Sequence, residues 1–493
     1  MKTILITGAA GFIGQNLANR LSNDYDVIGT DIEDCNKSFF RKFYKLDIRN
    51  KKELEKIFYE NKIDFVIHCA AIKSLKQCEE NKRKAYEINY LATKSIYELS
   101  KKSNTKFIFI SSDQVFDGKK GKYKEDSETN PINYYGYLKV LCEQMLAKDP
   151  SVAICRTAMV FGNIPENQLK FFNKIRKENY LIVQGYIVDH VIYKLINREK
   201  INLPENEFCC PTSNDLLCIQ IKLIIEKNLA GLLHCCGGEK ISKYEFGKKI
   251  AEVFNLNPSF IKTYTSNDPL RPKEVSLNFE KTQKIFNMRF PNIKDMLEEI
   301  KMKREFEKLK EYVKKEFDTA DIKLYNQAYF YRYHILPVFN ISLKLAEKYK
   351  ADKFVVGVSS LLHDIGLINL PKGKEHNIVG AEKIEGIFKK LSLGFDKEFI
   401  EKIKECILCH YGKKEDRKNK EIKVLITADA LAHLTTPFLF IRYKISKKSF
   451  EDFRKWAIQK IDQDCKRVCF KDEKKEIKIY AKILKKILFE NDC

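Results

Sequence analysis

Long apolar runs are missing from this sequence of 493 residues, and tryptophan occurs only once. No stretch approaches the ~18 consecutive apolar residues that a membrane-spanning helix needs, so we expect no membrane span. The apolar start Met1–Ile6 is too short for a secretory signal and runs directly into a glycine-rich loop. These absences predict a cytoplasmic protein that does not act at a membrane.

A nucleic-acid-binding motif is also missing, although the formal net charge is +23. Residues 301–493 contain 43 Lys and Arg against 29 Asp and Glu, and residues 1–300 contain 47 against 38. Because the positive excess is spread over both halves, it predicts a solvated basic surface. We therefore do not expect nucleic acid as a partner.

Fifteen cysteines are scattered along the chain, and several lie inside apolar runs. This distribution predicts buried, reduced thiols in a reducing compartment. The segment Cys406–His410 has the spacing of a covalent haem attachment site. We expect no haem there, because an export signal is missing and the residues between the two cysteines suit a helix core.

Short apolar runs alternate with helical patterns over residues 1–160, which predicts a doubly wound parallel α/β sheet of the Rossmann type. Prolines make residues 161–300 more irregular. The predicted strands are Lys2–Thr7, Val27–Asp31, Phe65–Ala70, Phe107–Ser111 and Val152–Arg156, and the predicted helices are Gln15–Ser22, Ile88–Ser100 and Tyr135–Leu146.

From about Lys294 the pattern becomes helical, starting with the charged stretch Met296–Phe317. We therefore predict an α/β domain at residues 1–300, with a substrate-binding subdomain at about 163–300, and an all-α domain at residues 301–493. The further predicted helices are Leu336–Leu362, Ile378–Leu391, Glu398–His410, Ile422–His433 and Glu473–Leu488.

A glycine pattern, Gly8–Gly14, follows the first predicted strand and opens the first helix. In this context Gly8 permits a tight turn, Gly11 lets the backbone approach a pyrophosphate, and Gly14 lets the helix pack closely on the strand. The helix N-terminus then faces the phosphates. Asp31 ends the second strand, where it can accept hydrogen bonds from a ribose 2′-hydroxyl. The cofactor is thus NAD(H) or NADP(H), and NAD(H) is favoured because a 2′-phosphate would meet like charge.

Tyr135 and Lys139 lie four residues apart, on one face of a predicted helix. An ammonium near the phenol is expected to lower the tyrosine pKa and to help proton transfer near neutral pH. Ser112, at the end of the preceding strand, can hydrogen bond to a carbonyl oxygen that gains charge as hydride arrives. We therefore predict Ser112, Tyr135 and Lys139 as catalytic residues.

Residues 1–300 resemble the extended short-chain dehydrogenase/reductase superfamily, and within it the dTDP-4-dehydrorhamnose reductases. This resemblance implies hydride transfer from a nicotinamide cofactor to the C4 keto group of a nucleotide-linked sugar, with Tyr135 as the proton donor. A homodimer is compatible with it. The segments that carry the resemblance are Ser111–Gly118, Asn130–Pro131, Tyr135–Lys139, Arg156–Gly162, Gly231–His234 and Arg271–Lys273.

The same resemblance implies a set of residues that contact the cofactor, drawn from the loop after each strand of the nucleotide-binding half and from the catalytic helix. These are Gly8, Ala10, Gly11, Phe12, Ile13, Gly14, Asp31, Asp47, Ile48, Ala70, Ala71, Tyr135 and Lys139.

The sequence departs from the reductase pattern at Gln114, where the family has tyrosine, and at Met159, where it commonly has tryptophan. The segment Ala70–Lys73 is also similar to nucleotide-sugar 4,6-dehydratases and epimerases. A related regulatory subunit of methionine adenosyltransferase is not an enzyme. An epimerase, a dehydratase and a non-catalytic NAD(P)-binding subunit therefore stay open as alternatives.

In the second domain, the pair His363-Asp364 follows an apolar helix, with His334 upstream and Asp429 downstream. This order resembles the HD superfamily of metal-dependent hydrolases. The resemblance implies that these four residues bind a divalent metal ion. Their mixed imidazole and carboxylate donors suit Mn, Fe, Zn, Co, Ni or Mg.

His376 and His410 extend this set, because relatives with two additional histidines hold a second metal ion. The resemblance then implies a dinuclear centre in which Asp364 bridges the metals and His376 and His410 bind the second one. The alternative is one metal, with both histidines lining a phosphate pocket. Two metals suit hydrolysis of a phosphorylated small molecule, while a di-iron oxygenase and a metal-free nucleotide sensor are the competing functions. His433 is predicted to lie on a helix surface.

Overall fold

A computed structural model describes residues 1–165, 168, 185–319, 327–411, 417, 419–446 and 449–489. The chain divides into two compact units, Met1–Lys301 and Met302–Cys493. Part of the predicted substrate-binding subdomain, at residues 166–167 and 169–184, lies outside the described residues.

The first unit is built on strands that read as short apolar runs, as expected for a sheet covered on both faces. All five residues of the first strand are buried. The strands are β1 (Thr3–Thr7), β2 (Asp26–Asp31), β3 (Lys42–Lys45), β4 (Phe65–His68), β5 (Lys106–Ser112), β6 (Ala153–Thr157), β7 (Val160–Phe161), β8 (Ile201–Pro204), β9 (Phe208–Cys209), β10 (Thr212–Ser213), β11 (Gly231–His234), β12 (Ile241–Ser242) and β13 (Ile261–Tyr264).

Seven strands form one sheet in the order β11-β6-β5-β4-β1-β2-β3, and every neighbouring pair is parallel. The chain leaves β1 towards one edge through β2 and β3, and it reaches the other edge through β4, β5, β6 and β11. In sheets wound in this way, ligands bind where the two directions separate, at the carboxyl ends of the strands. This point lies between β1 and β4.

The first unit contains helices on both faces of this sheet and beside the shorter strands. They are α1 (Phe12–Leu21), α2 (Lys51–Glu60), α3 (Leu75–Glu80), α4 (Lys82–Tyr86), α5 (Ala92–Lys102), α6 (Tyr134–Leu146), α7 (Ile187–Ile196), α8 (Asn214–Glu226), α9 (Lys243–Val253) and α10 (Glu280–Phe286).

One apolar core lies on each face of the sheet. Leu17 of α1 and Ile221 of α8 pack on one face, and Leu54 of α2 and Ile96 of α5 pack on the other. A third core, around Phe161 and Phe246, joins three two-stranded pairs, β7-β10, β9-β12 and β8-β13. The predicted doubly wound α/β fold is confirmed.

The helix α11 (Ile293–Thr319) begins in the first unit and continues past residue 301. The described part of the second unit is helical, as predicted. Its further helices are α12 (Gln327–Phe330), α13 (Leu336–Tyr349), α14 (Lys353–Leu362), α15 (His376–Lys390), α16 (Lys397–Cys409), α17 (Lys420–Thr435), α18 (Phe438–Ser446), α19 (Phe450–Arg467) and α20 (Lys471–Phe489).

The helix α17 lies at the centre of the second unit. It is buried from Val424 to Leu434 without interruption, as expected for a helix packed on all sides. The helices α13, α14, α16, α19 and α20 pack against it. A side chain at the middle of α17 is therefore surrounded by several other helices of the unit.

The predicted helix Leu336–Leu362 is wrong as one element, because the chain breaks between α13 and α14. Lys350 takes the left-handed conformation with φ 54°, and the Asp352 carboxylate caps the next helix by accepting from the amides of Phe354 and Val355. The apolar period continues through this break, so periodicity alone did not reveal it.

Among the helices that the structure describes, none is long and apolar enough on its own to cross a membrane. By length and composition alone, one pair bent by 63°, Lys420–Thr435 and Phe438–Lys444, could do so.

Substitution of Gly14 tests the close packing of α1 on the first loop. A Cβ atom at Gly14 would lie 2.2 Å from the carbonyl oxygen of Gly8, so we expect Gly14→Ala to lower the free energy of unfolding of the first unit by about 1–3 kcal/mol. The measurement is urea denaturation of the full chain. The control is Gly386→Ala in α15, where a Cβ meets nothing within 4 Å, and where alanine should stabilise by about 0.5–1 kcal/mol. An unchanged stability of Gly14→Ala would contradict the packing described.

Candidate active site and metal centre

The loop after β1 lies against the end of β4 at Gly8, which has a φ of +67°. A Cβ atom there would lie 2.7 Å from the amide nitrogen of Ala70, after β4. Glycine therefore lets the ends of β1 and β4 meet at the point where the strand order reverses. The structure brings Gly8 and Ala70, both predicted cofactor contacts, together at this crevice, and Ala71 follows directly.

The helix α1 starts at this crevice, and no capping side chain occupies its first amides. Its N-cap is Gly11, which provides no side-chain cap, so no side chain of the cap competes for the amides of Phe12, Ile13 and Gly14 in the first turn. Such amides suit a phosphate group. The donor set and the glycine cradle thus fit a dinucleotide.

Asp31 lies at the end of β2 and is tied to the glycine loop. Its Oδ2 atom accepts from the amide of Ala10 at 3.0 Å, and its Oδ1 atom accepts from the amide of Glu33 at 3.1 Å. Burial raises the pKa of Asp31 despite these bonds. The carbonyl of Asp31 accepts from the amide of Leu46 at 2.7 Å, which brings the segment before Asp47 alongside it.

Asp47 and Ile48 follow that segment. Ile48 is buried. The Asp47 carboxylate pairs with Arg49 at 2.6 Å, and the hydrogen bond from Arg49 lowers the pKa of Asp47.

Ser112, Tyr135 and Lys139 converge at the carboxyl end of β5. The Ser112 hydroxyl donates to Asp113 Oδ1 at 3.0 Å, and the Ser112 side chain is close enough to Tyr135 to act on the pKa of the phenol. Lys139 lies one turn after Tyr135 in α6, with its Nζ atom 5.8 Å from the centre of the tyrosine ring. The three predicted catalytic side chains therefore share one site.

The electrostatics of this site differ from the prediction. Burial, followed by the charge of Asp113, raises the pKa of Tyr135 above its usual value. Lys139 Nζ donates to the carbonyl of Ile110 at 2.7 Å, and burial lowers the pKa of this ammonium. The predicted lowering of the Tyr135 pKa by Lys139 is wrong for the free protein, because desolvation outweighs the distant ammonium.

Asp113 was missed by sequence reasoning, although it directly follows Ser112. It is buried, and burial raises its pKa to about 6. Asp113 and Gln114 line a pocket whose other side carries Glu207, Lys243 and Arg271. The signal that could have found Asp113 is its adjacency to a predicted catalytic serine at a strand end.

In the second unit, the six predicted metal ligands form two adjacent groups. One contains His334, His363 and Asp429, and the other contains Asp364, His376 and His410, with the donor atoms in each group within 4.8 Å of one another.

The carboxylate of Asp364 faces both groups. Its Oδ2 atom lies 3.1 Å from His334 Nε2 and 3.3 Å from His363 Nε2. Its Oδ1 atom lies 3.0 Å from His376 Nε2 and 3.6 Å from His410 Nε2. Each oxygen therefore belongs to a different set of imidazoles.

The remote nitrogens of three imidazoles are engaged. His363 Nδ1 donates to the carbonyl of Ser360 at 2.8 Å, and His410 Nδ1 donates to the carbonyl of Ile407 at 2.6 Å. These bonds leave the Nε2 lone pairs facing the carboxylates. His376 Nδ1 lies 2.7 Å from the Tyr411 hydroxyl. Converging lone pairs and carboxylate oxygens repel one another unless a cation lies between them, either a proton on an imidazole or a metal ion. The mixed imidazole and carboxylate donors fit divalent metal ions.

Local backbone features bring these side chains together. His334 sits in a π turn, Tyr331–Ile335, of the kind often found at functional sites. A Cβ atom at Gly366 would lie 1.9 Å from the carbonyl oxygen of His376, so glycine lets the turn after Asp364 meet the start of α15.

The charges in this cluster compensate each other. Although burial opposes it, the charge of Asp364 raises the pKa of His363 to about 9. Likewise, against the effect of burial, His363 holds the pKa of Asp364 well below its usual range.

His433, predicted to lie on a helix surface, is buried. Its ring stacks on His334 at 4.9 Å, and its Nε2 atom lies 3.4 Å from Asp429 Oδ1. The predicted surface position is wrong, because α17 is covered on all sides. Arg467 also reaches the cluster and donates to Asp429 Oδ2 at 2.5 Å. No sequence signal pointed to Arg467, since it follows Asp429 by 38 residues.

Two family models match this chain. The model of the RmlD substrate binding domain matches residues 1–184 and 184–305, and the model of the HD domain matches residues 331–434. Both resemblances predicted from the sequence are confirmed.

Curated relatives match the first of these regions. A dTDP-4-dehydrorhamnose reductase of Aggregatibacter actinomycetemcomitans is 28% identical over 307 residues, which cover 58% of this chain and 94% of the relative. The methionine adenosyltransferase 2 subunit beta of Xenopus laevis is 27% identical over 294 residues, which cover 57% of this chain and 81% of the relative.

Solved structures of dTDP-4-dehydrorhamnose reductases also match this chain. A hypothetical dTDP-4-dehydrorhamnose reductase from Sulfolobus tokodaii is 32% identical, with a TM-score of 0.50, and the match covers 59% of this chain and 97% of that one. The dTDP-4-dehydrorhamnose reductase of Bacillus anthracis in complex with NADP is 25% identical, with a TM-score of 0.52 and coverage of 62% and 99%. The chain therefore belongs to the RmlD substrate binding domain family, and it carries an HD domain at residues 331–434.

Proposed function

We propose that residues 1–300 catalyse the NAD(P)H-dependent reduction of a 4-keto nucleotide sugar. The observation that carries this proposal is the convergence of Ser112, Tyr135 and Lys139 beside the crevice between β1 and β4. The reductases from Aggregatibacter and Bacillus support the substrate class and the nicotinamide cofactor.

The side chains divide the work as follows. When bound, the nicotinamide supplies the hydride for C4 of the sugar. The Tyr135 phenol, whose raised pKa keeps it protonated at neutral pH, donates a proton to the oxygen on C4. Ser112 donates a hydrogen bond to the same oxygen as its charge grows. Lys139, one helical turn from Tyr135, stabilises the phenolate that proton transfer leaves behind.

Tyr135→Phe removes the proton donor and preserves the ring. We expect it to slow NADH oxidation with dTDP-4-dehydrorhamnose by at least ~100-fold, while NADH still binds in a fluorescence titration. The control is Tyr137→Phe, because Tyr137 is 45% exposed on the same helix and should keep full turnover.

Unchanged turnover of Tyr135→Phe would contradict the mechanism. An unaltered chain that binds NADH but turns over neither this sugar nor an epimerase or dehydratase substrate would instead favour a cofactor-binding subunit. The similarity to methionine adenosyltransferase 2 subunit beta supports that alternative.

Asp31 is proposed to select NADH over NADPH, because its carboxylate lies at the end of β2 beside the glycine loop. Asp31→Asn removes the charge that would repel a 2′-phosphate, so the ratio of the Kd values for NADPH and NADH should fall by roughly tenfold, equivalent to ~1.4 kcal/mol. Fluorescence titration of both cofactors measures this ratio. Asp34→Asn is the control, because Asp34 is exposed and pairs with Lys37 and Lys45. Tighter binding of NADPH by the unaltered chain would refute the assignment.

We propose that the HD domain is a metal-dependent phosphohydrolase with two metal sites bridged by Asp364. The observation that carries this proposal is that the two oxygens of Asp364 face different imidazole pairs. His334, His363 and Asp429 would hold one divalent ion, and His376 and His410 the other. When bound, two such ions supply an acidified water and neutralise phosphoryl charge.

The protein residues orient and enclose this site. Carbonyls of the helix ends fix the rings of His363 and His410, which keeps their Nε2 atoms directed inwards. His334, His363, His410 and Asp429 are buried, whereas the His376 side chain is 15% exposed. We therefore expect a phosphorylated small molecule to enter beside His376.

Asp364→Asn tests the bridging role. In equilibrium dialysis, we expect the unaltered chain to bind two Mn²⁺ ions and the variant to bind both at least ~10-fold more weakly, because one ligand serves both sites. Phosphate release from p-nitrophenyl phosphate should fall with it. Asp462→Asn is the matched control, because Asp462 is exposed and pairs with Lys485 at 2.6 Å.

Undiminished Mn²⁺ binding by Asp364→Asn would reject the ligand set. Binding of a single Mn²⁺ ion by the unaltered chain would favour the single-metal alternative, and loss of only one of two ions in Asp364→Asn would assign Asp364 to one site. Co-purified iron with oxygen uptake, in place of phosphate release with Mn²⁺, would favour an oxygenase.

A further inference from the structure

The carboxylate of Asp429 has different neighbours at its two oxygens. Oδ1 lies 3.5 Å from His334 Nε2 and 3.8 Å from His363 Nε2. Oδ2 accepts from Arg467 Nη2 at 2.5 Å. A charge-assisted bond of this kind is strong and directional. It therefore engages one oxygen and leaves the other to the imidazoles.

Arg467 is itself held by Asp464, whose side chain is completely buried, at 0% exposure. Asp464 Oδ1 accepts from Arg467 Nη1 at 2.9 Å and from Lys460 Nζ at 3.0 Å, and its Oδ2 accepts from His433 Nδ1 at 3.1 Å. A buried carboxylate requires such compensation. In return, its carboxylate holds the Arg467 guanidinium beside the cluster of predicted metal ligands.

Asp464 and Arg467 both lie in α19, which follows the segment matched by the HD domain model, 331–434. Arg467 also donates to the carbonyl of His410 at 2.8 Å. It thus links the Asp429 side chain to the end of the helix that carries a histidine of the other group.

We infer that Arg467, held in place by Asp464, is a positioning residue that orients Asp429 so that Oδ1 faces His334 and His363. This inference rests on the proposed metal centre and adds the groups that orient one of its ligands. The alternative is that the Arg467 guanidinium competes with the metal ion for the Asp429 carboxylate. The two roles predict opposite changes in metal affinity when Arg467 is replaced.

The test is a titration of the metal-depleted full chain with Mn²⁺, in which free Mn²⁺ is measured by electron paramagnetic resonance. We expect Arg467→Gln to weaken one of the two sites by ~10–100-fold, as replacement of outer-shell partners does, and to weaken the other less. Arg467→Lys keeps the charge but lacks the planar fork whose two nitrogens contact Asp464 on one side and Asp429 and His410 on the other, so it should weaken the same site by a smaller factor. Asp464→Asn should act in the same direction as Arg467→Gln.

Arg454→Gln is the matched control. Arg454 lies at the other end of α19 and pairs with Glu451 at 2.9 Å, so both Mn²⁺ sites should keep their affinity. Circular dichroism of each variant establishes that it is folded. A loss of affinity in Arg467→Gln that Arg467→Lys does not partly restore would indicate a merely structural role and overturn the inference.

Unchanged or tighter Mn²⁺ binding by folded Arg467→Gln also overturns the inference, while two sites in the unaltered chain would leave the proposed function standing. If Arg467→Gln does not fold, unchanged affinity in Arg467→Lys and Asp464→Asn has the same meaning. If the unaltered chain binds no Mn²⁺, the proposed metal centre fails first, and the inference fails with it.

Discussion

Repulsion among converging lone pairs and carboxylates is the constraint on which the second unit depends. Asp364 and Asp429 share one space with five imidazoles, those of His334, His363, His376, His410 and His433. Buried groups of this kind are stable only when their charges are compensated. Helix-end carbonyls fix two of the rings, and Arg467 balances one carboxylate. The helices that pack on α17 are therefore organised around an electrostatic requirement as well as around an apolar core.

The first unit meets a smaller version of the same requirement. Lys139 and Asp113 are both buried at the carboxyl end of β5, where burial lowers the pKa of the amine and raises that of the acid. Both groups are thus shifted towards their neutral forms before any ligand binds.

What the sequence predicted depended on local spacing. The glycine loop, the pair Tyr135 and Lys139, and the pair His363-Asp364 could each be read within a few residues. The doubly wound parallel sheet and the helical second half also followed from periodicity. In contrast, Arg467 reaches Asp429 through tertiary packing, and Asp464 contacts Arg467. The burial of His433 likewise depends on helices distant in the chain. No spacing rule encodes such contacts, and the net desolvation that sets the Tyr135 pKa has no local signature.

The π turn at Tyr331–Ile335 has a consequence for how this region can change in evolution. A π turn is wider than an α-helical turn and holds about one more residue, so it accommodates that residue without rotating the helices on either side. Val338 and Phe339 of α13 therefore keep their places in the core, whereas the side chains within the turn, His334 among them, leave the positions that a regular α-helix would give them. Deletion of one residue in this turn would thus leave the core packing of α13 largely in place and move His334 relative to Asp364 and Asp429. A change of length here affects the metal ligands more than the fold.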